Sequence, residues 1–422
     1  MRDDGSGQVR KRRVFYIPGY DPVHPRRYRE IYRKEGADQA AISGYDIALE
    51  PRRAGSRYGW HVRSAQEGAR VEADIEVLVW SDIVRASMGV SIPATYAQLI
   101  GTAARYIVSG ALFRLMRLRK GPVVAALYPI LALIVQALIG VAIGALGAAL
   151  LLVALPEFAF DRLVALILAA TLLTLSLRWF RRHDRKYLAY YLMHDYAFTA
   201  RWGGANPPEL EARMAEFGDR IAQAMEEDWD EVLVIGHSSG AHLAISILAD
   251  LLRAGRTPSS SWQKYPRGSG GRQPPALSFL SLGHVVPMVS FLPRATRLRA
   301  DLAYLSTRPE LFWLDVTAPG DGCAFALCDP VAVSGVAPEG QIHPLIVSAA
   351  FTQTLSPARW KELRWRFFRL HFQYLCAFDR VGDYDYFRIT AGPLTLAQRF
   401  AGRPPSKSRI TTPVNRFTST AA

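Results

Sequence analysis

Cysteine is scarce in this chain. Of 422 residues only Cys323, Cys328 and Cys376 are cysteines, an odd number placed late and never spaced as Cys-x-x-Cys. That spacing gives neither a disulfide framework nor a zinc site, and it implies reduced thiols in a cytosolic compartment. The opening residues, MRDDGSGQVRKRR, hold no apolar run, so no secretory signal peptide is expected there. Acidic residues are outnumbered: 37 Asp+Glu stand against 51 Lys+Arg, a net charge of +14. Such a balance suits an anionic membrane surface or nucleic acid. Zinc-finger spacing, a recognition-helix pattern and an RNA-binding aromatic signature are all missing, which argues against nucleic acid.

Charge itself is absent from one long stretch. Between Lys120 and Glu157 lie 36 uncharged residues, GPVVAALYPILALIVQALIGVAIGALGAALLLVALP. About 20 apolar residues cross a hydrocarbon core, so a first span is expected at about 130–154, with Pro129 separating it from an interfacial start. A second, at about 161–180, follows in LVALILAATLLTLSLRWF, where Trp179, Phe180 and a snorkelling Arg178 complete a shorter apolar run. Basic clusters, FRLMRLRKG and RWFRRHDRK, flank the hairpin outside, and its turn carries Glu157 and Asp161. The positive-inside rule then puts both outer ends in the cytoplasm, at the inner membrane if the cell is bacterial. The alternative is a helical hairpin buried in a large soluble core. Gly140 and Gly144 form GxxxG, compatible with close helix packing and with a homo-oligomer. Upstream, YAQLIGTAARYIVSGALFRLMRLRK reads as one basic amphipathic helix, on the membrane interface or packed on the protein surface.

The two remaining halves read as one interrupted domain. Residues 1–12 form a basic tail, 13–118 the first half, 119–181 the hairpin, 182–401 the second half and 402–422 a disordered tail. Strands are expected in RRVFYI, YDIALEP, GWHVRSA, IEVLVWSDIV, VLVIG, ALSFLSLGHVV and ELFWLDV, with helices between them. Alternation of this kind implies an α/β fold with a doubly wound, mostly parallel sheet. RTPSSSWQKYPRGSGGRQPP, rich in Gly, Pro and Ser, reads as a mobile loop.

DEVLVIGHSSGAHLAISILADLL runs from an apolar strand through Gly236-His237-Ser238-Ser239-Gly240 into a helix. Glycines flanking a serine at such a junction permit a sharp, strained turn that exposes the hydroxyl; the plain reading is an ordinary tight turn. A serine hydroxyl needs a base to take its proton and a third group to hold that base. Downstream aspartates are Asp315 inside ELFWLDV, Asp321 in the Gly-Asp-Gly turn after it, and Asp329. Two histidines follow, His343 in GQIHPL and His371 in RFFRLHFQYL.

With these motifs the chain resembles the α/β-hydrolase superfamily, over most of its length outside the hairpin and tails. The resemblance implies a triad in the order serine, acid, histidine: Ser238 as nucleophile, Asp321 at the family acid's position, and His371 in a His-x-x-Tyr setting. Asp315, Asp329 and His343 stay open as replacements. It implies an oxyanion hole from the backbone N–H groups of Ser239 and Tyr20, the latter in FYIPGYDP, with Gly236 and Gly240 shaping the elbow. Pro18 stands where many members have histidine. His237 points away from the nucleophile on such a turn and is expected to help packing or polarity. No cofactor or metal is implied. The expected function is a membrane-anchored serine hydrolase acting on an ester or thioester, with a lipid-like substrate suggested by location. The competing reading is a non-catalytic scaffold or binding protein at the bilayer. Two spans without intramembrane charge argue against a transport pathway.

Overall fold

In a computed structural model of the chain, residues 8–51, 58–155, 159–257 and 274–421 are described. Eight strands form one sheet: β1 (Lys11–Ile17), β2 (Asp46–Pro51), β3 (Gly59–Gln66), β4 (Ala69–Val77), β5 (Glu231–His237), β6 (Ala276–Leu282), β7 (Leu311–Thr317) and β8 (Leu345–Ser348). Their order is β2-β3-β4-β1-β5-β6-β7-β8. β3 pairs antiparallel with both β2 and β4, and from β4 through β1 and β5 to β8 every pairing is parallel. The parallel middle is buried on both faces, so β5 reads as a continuous apolar run. By contrast β3 alternates, burying Trp60 and Val62 while Arg63 is exposed.

Helices cover the sheet: α1 (Arg26–Ser43), α2 (Ser81–Met88), α3 (Ile92–Val108), α4 (Ala111–Leu118), α5 (Lys120–Ala154), α6 (Asp161–Arg182), α7 (Asp184–Tyr187), α8 (Ala189–Arg201), α9 (Pro208–Glu226) and α10 (Gly240–Arg253), with shorter ones beyond. Alternate residues of each central strand face two separate layers. Phe15, Ile17, Val234 and Phe279 pack with α9 and α10. Val14, Tyr16, Leu233 and Leu280 pack with α1 and the C-terminal aromatics Tyr374 and Phe387. Each such large side chain taken from water contributes roughly 1.5–3 kcal/mol.

The hairpin leaves this body as α5 and α6, both long and apolar enough to cross a membrane. Burial in a soluble core is not what is seen, since their most apolar stretches are only 11% and 6% buried. At 1.5 Å per residue the 35 residues of α5 extend about 52 Å, well beyond the roughly 30 Å hydrocarbon core. The surplus stands inside the protein, where Leu133 is packed by α3 and α8 and its carbonyl accepts the Tyr96 hydroxyl at 3.0 Å. Pro129 sits within α5, so the interfacial start and the span are one helix. The glycine face lies on α6: a Cβ at Gly144 would meet the Ala169 carbonyl oxygen at 2.7 Å. Close helix approach thus serves the hairpin itself.

Several local expectations change. The single amphipathic helix is two, α3 and α4, bent by 72° where Gly110 takes φ +71°. SDIV begins α2 instead of extending β4, and His284 lies past the end of β6. Arg12, assigned to the basic tail, is a fully buried strand residue. Its Nε meets Glu231 Oε2 at 2.6 Å, and its other nitrogens donate to the Gly392 and Leu394 carbonyls. The tail expected to be disordered is tied down instead. Asn415 Nδ2 donates to the Ser290 and Ser334 carbonyls, and Arg299 Nε donates to the Ser419 carbonyl. Short polar segments stay ordered when their amides satisfy otherwise orphaned buried carbonyls. Most of the proposed mobile loop, and the turn residues 156–158, lie outside the described residues.

Candidate active site

β1 is flanked by β4 on one side and β5 on the other, so the chain's winding reverses beside it. The crevice at the carboxyl ends of strands at such a switch point is where open α/β sheets bind ligands. There Ser238 leaves β5 with φ +56°, a conformation costly for any residue but glycine. Neighbouring close approaches explain the glycines. A Cβ at Gly236 would sit 2.6 Å from Ala241 Cα, and one at Gly240 would sit 2.1 Å from the Ile17 carbonyl oxygen. Neither position can carry a side chain while the turn stays this tight.

The loop after β1 lies directly over the serine. A Cβ at Gly19 would come within 3.4 Å of Ser238 Oγ. Trp80 Nε1 holds this loop by donating to the Pro18 carbonyl at 2.9 Å, and Tyr191 Oη donates to the Tyr20 carbonyl at 2.6 Å. Among the described residues, the Tyr20 and Ser239 amides donate no hydrogen bond. Ser239 also caps α10, whose N-terminal end favours negative charge.

Past β7, Asp321 is buried, and its Oδ2 lies 2.7 Å from His371 Nδ1. Tyr374 Oη donates to the same oxygen at 3.0 Å, and the Cys323 amide donates to Oδ1 at 2.9 Å. Burial alone would raise this carboxyl; the His371 charge and these hydrogen bonds outweigh it and hold it below the usual carboxylate range. Tyr374 Oη also accepts from the Ala318 amide at 3.0 Å, so its position is fixed.

His371 sits beside the elbow. Its ring stacks on that of His237 at 4.9 Å between centroids, and its backbone carbonyl lies 3.0 Å from His237 Nε2. Tyr16 Oη lies 3.2 Å from His237 Nδ1. Burial first, then the neighbouring His371 charge, lower His237 to about 3, so it is neutral. The bonding pattern makes Nε2 the donor and Nδ1 the acceptor. His237 therefore positions the backbone of His371. Gly283, next to Leu282 whose carbonyl accepts the Ser238 amide, leaves room for the His371 edge: a Cβ there would lie 3.1 Å from Cε1. No hydrogen bond joins Ser238 Oγ to His371 among the described residues.

The other candidates lie elsewhere. Asp315 is buried within β7 and bonds Ser281 Oγ at 2.5 Å. Asp329 caps a short helix through the Val331 and Ala332 amides. His343 packs edge-on against Phe312, at the opposite end of β7 from Asp321.

One residue escaped the sequence reading. Asp195, on α8, lines a crevice of ≈ 10 Å³ with Tyr20, Trp80 and Ser239. Burial pushes its carboxyl up to about 7, with His371 drawing it down. Nothing in YYLMHDYAFTAR marks this aspartate, whose setting comes entirely from packing. Asp321, Cys323 and His371 also bring one donor atom each within 4.8 Å of one another. Burial pushes the Cys323 thiol well up and His371 Nδ1 is committed to Asp321, so the set is poorly suited to a cation.

Comparison of the chain with protein-family models, curated proteins and solved structures gives no match.

Proposed function

We propose that this chain is a membrane-anchored serine hydrolase that cleaves an ester or thioester through an acyl-enzyme. The carrying observation is the left-handed Ser238 at the carboxyl edge of β5, beside the Asp321–His371 pair. In this reading His371 Nε2, left free by Asp321, takes the Ser238 proton as the oxygen attacks the acyl carbon. Asp321 fixes the tautomer and balances the imidazolium. The Tyr20 and Ser239 amides receive the oxyanion, which supports catalysis by several kcal/mol when donors are preset. His371 then protonates the leaving group, and water releases the acyl chain by the same route. Transfer to another acceptor would use the same parts.

α5 and α6 form the anchor, with the catalytic domain on the cytoplasmic side, an orientation favoured by the flanking arginines. A cysteine in place of Ala159 should then react with an impermeant thiol reagent only from the far side. Reaction from the cytoplasmic side alone overturns the hairpin orientation.

The decisive measurement is fluorophosphonate labelling of the full chain in membranes. Wild type labels and Ser238→Ala does not. A second reading, a non-catalytic scaffold, draws on the missing hydrogen bond between Ser238 and His371, although such bonds often tighten only with substrate. Folded wild-type protein that resists the probe selects it.

A further inference from the structure

Where α5 leaves the α/β body, a second cavity opens, of ≈ 130 Å³. Tyr106, Leu115, Val123, Ala126, Met193 and Tyr196 line it, from α3, α4, α5 and α8. Its lining is carbon almost throughout. Tyr106 contributes only its ring, because its hydroxyl donates to the Met288 carbonyl at 2.8 Å. The volume is close to that of an apolar cavity that stays dry and takes a benzene-sized guest, about 150 Å³.

The rim of this cavity is exposed and apolar. Ile107 and Leu127 stand at its edge, 50% and 40% exposed. Val108 at the end of α3, Phe113 on α4 and Val124 on α5 are exposed and apolar as well. A continuous apolar surface of this kind marks contact with lipid or with a partner. Its continuity with α5 and α6, and the flanking Arg105, Arg114 and Arg117, select lipid.

The inner end points toward the candidate site. Tyr196 lines the cavity with its ring, while its phenol is pushed up by burial and by the neighbouring Cys323 and Asp195. Cys323 follows Asp321 by two residues and donates its amide to that carboxylate. Asp195 lines the crevice shared with Tyr20 and Ser239. The root of α5 touches the same loop: a Cβ at Gly121 would lie 3.2 Å from the Gly322 carbonyl oxygen.

We propose that this cavity binds a short segment of the hydrocarbon chain of a long-chain acyl substrate drawn laterally from the bilayer, with Tyr196 standing between chain and reaction centre. As a substrate site it rests on the hydrolase reading; as a lipid-chain site it does not. Two measurements separate these. The first is the ratio of kcat/KM for a twelve-carbon over a four-carbon acyl ester, in wild type and in the cavity-filling Ala126→Leu and Ala103→Leu variants. Each methylene kept from apolar surroundings costs about fourfold, so blocking two or more lowers the ratio roughly tenfold or further. Fluorophosphonate labelling verifies that each variant is folded. An unchanged ratio in labelled variants overturns the substrate assignment.

The second uses full-length Ser238→Ala in phosphatidylcholine vesicles containing a diazirine-bearing palmitic acid, which reads binding without turnover. Irradiation should place adducts on Met193, Met288 or Tyr106, and Ala126→Leu should remove them. Adducts confined to the outward faces of α5 and α6, such as Leu146 and Leu166, mean only an annulus of lipid and overturn the site. Adducts in the cavity of a protein that never labels with fluorophosphonate keep the lipid site and remove the hydrolase reading instead.

Discussion

Two buried carboxyl groups feel the charge of His371 from different regions, and their environments drive them in opposite directions. Asp321, on the loop after β7, is the more deeply buried, yet it is held ionised by His371, Tyr374 and the Cys323 amide. Asp195, on α8 next to the hairpin, receives no such donors among the described residues and is pushed up by burial to about 7. Burial raises both acids; whether it prevails is decided by the neighbouring charge and the hydrogen bonds offered to the ionised form. Paired groups driven apart in this way are a recurrent basis for dividing acid and base roles within one site.

That contrast can be tested from both sides. The largest effect belongs to Asp321→Asn, which keeps the shape but releases the imidazole tautomer. Turnover of a soluble ester should fall roughly 10⁴-fold, with fluorophosphonate labelling slowed in parallel. A loss below tenfold would remove Asp321 from the proposed triad. Next comes Tyr374→Phe, which takes one donor from the same carboxylate. A hydrogen bond to a charged group is worth about 1.5–3 kcal/mol, so activity should drop roughly tenfold to a hundredfold. The acid limb of the pH–rate profile should also shift upward, which a purely structural role would not produce. His237→Phe keeps a ring beside His371 but removes the donor to its carbonyl. A smaller loss of kcat is expected, with KM little changed.

The smallest effect concerns stability. A native carboxyl titrating near 7 stays protonated where the unfolded chain, near 3.8, is already ionised. Its contribution is therefore full below about pH 4 and is lost as pH rises toward 7. Asp195→Asn should gain melting temperature over wild type at pH 8 and gain little at pH 4. Asp321 has the opposite slope: its stabilisation is present above about pH 4 and is lost as pH falls through its lowered native value. Melting curves that move the same way with pH in both variants would dissolve the distinction.

The elbow was legible because its parts are adjacent: an apolar strand, glycines at fixed offsets and an apolar helix. Asp321 and His371 can be singled out only with the help of the family resemblance, which gives meaning to a Gly-Asp-Gly turn after a strand and to the His-x-x-Tyr setting. What stayed hidden depends on distant packing. Asp195 lies in an unremarkable helix, and β8 is only four residues, LIVS, too short to show a period. The α3–α4 bend looked like uninterrupted helix because Ser109-Gly110 sits between two apolar stretches of helical spacing. The C-terminal residues resemble a disordered segment by composition, and their anchors are carbonyls of Ser290 and Ser334 that no local pattern announces.

The hairpin is inserted between β4 and β5, yet those two strands clasp the same central strand, β1. A ribosome therefore releases the first half of the sheet with one side of β1 unpaired, and everything from α2 to α9 must emerge before β5 can fill it. Unpaired edges of this sort template aggregation. At a few to twenty residues per second the exposure lasts many seconds. Delivery of the hairpin to the bilayer during that interval would tether the nascent half away from its copies until β5 arrives.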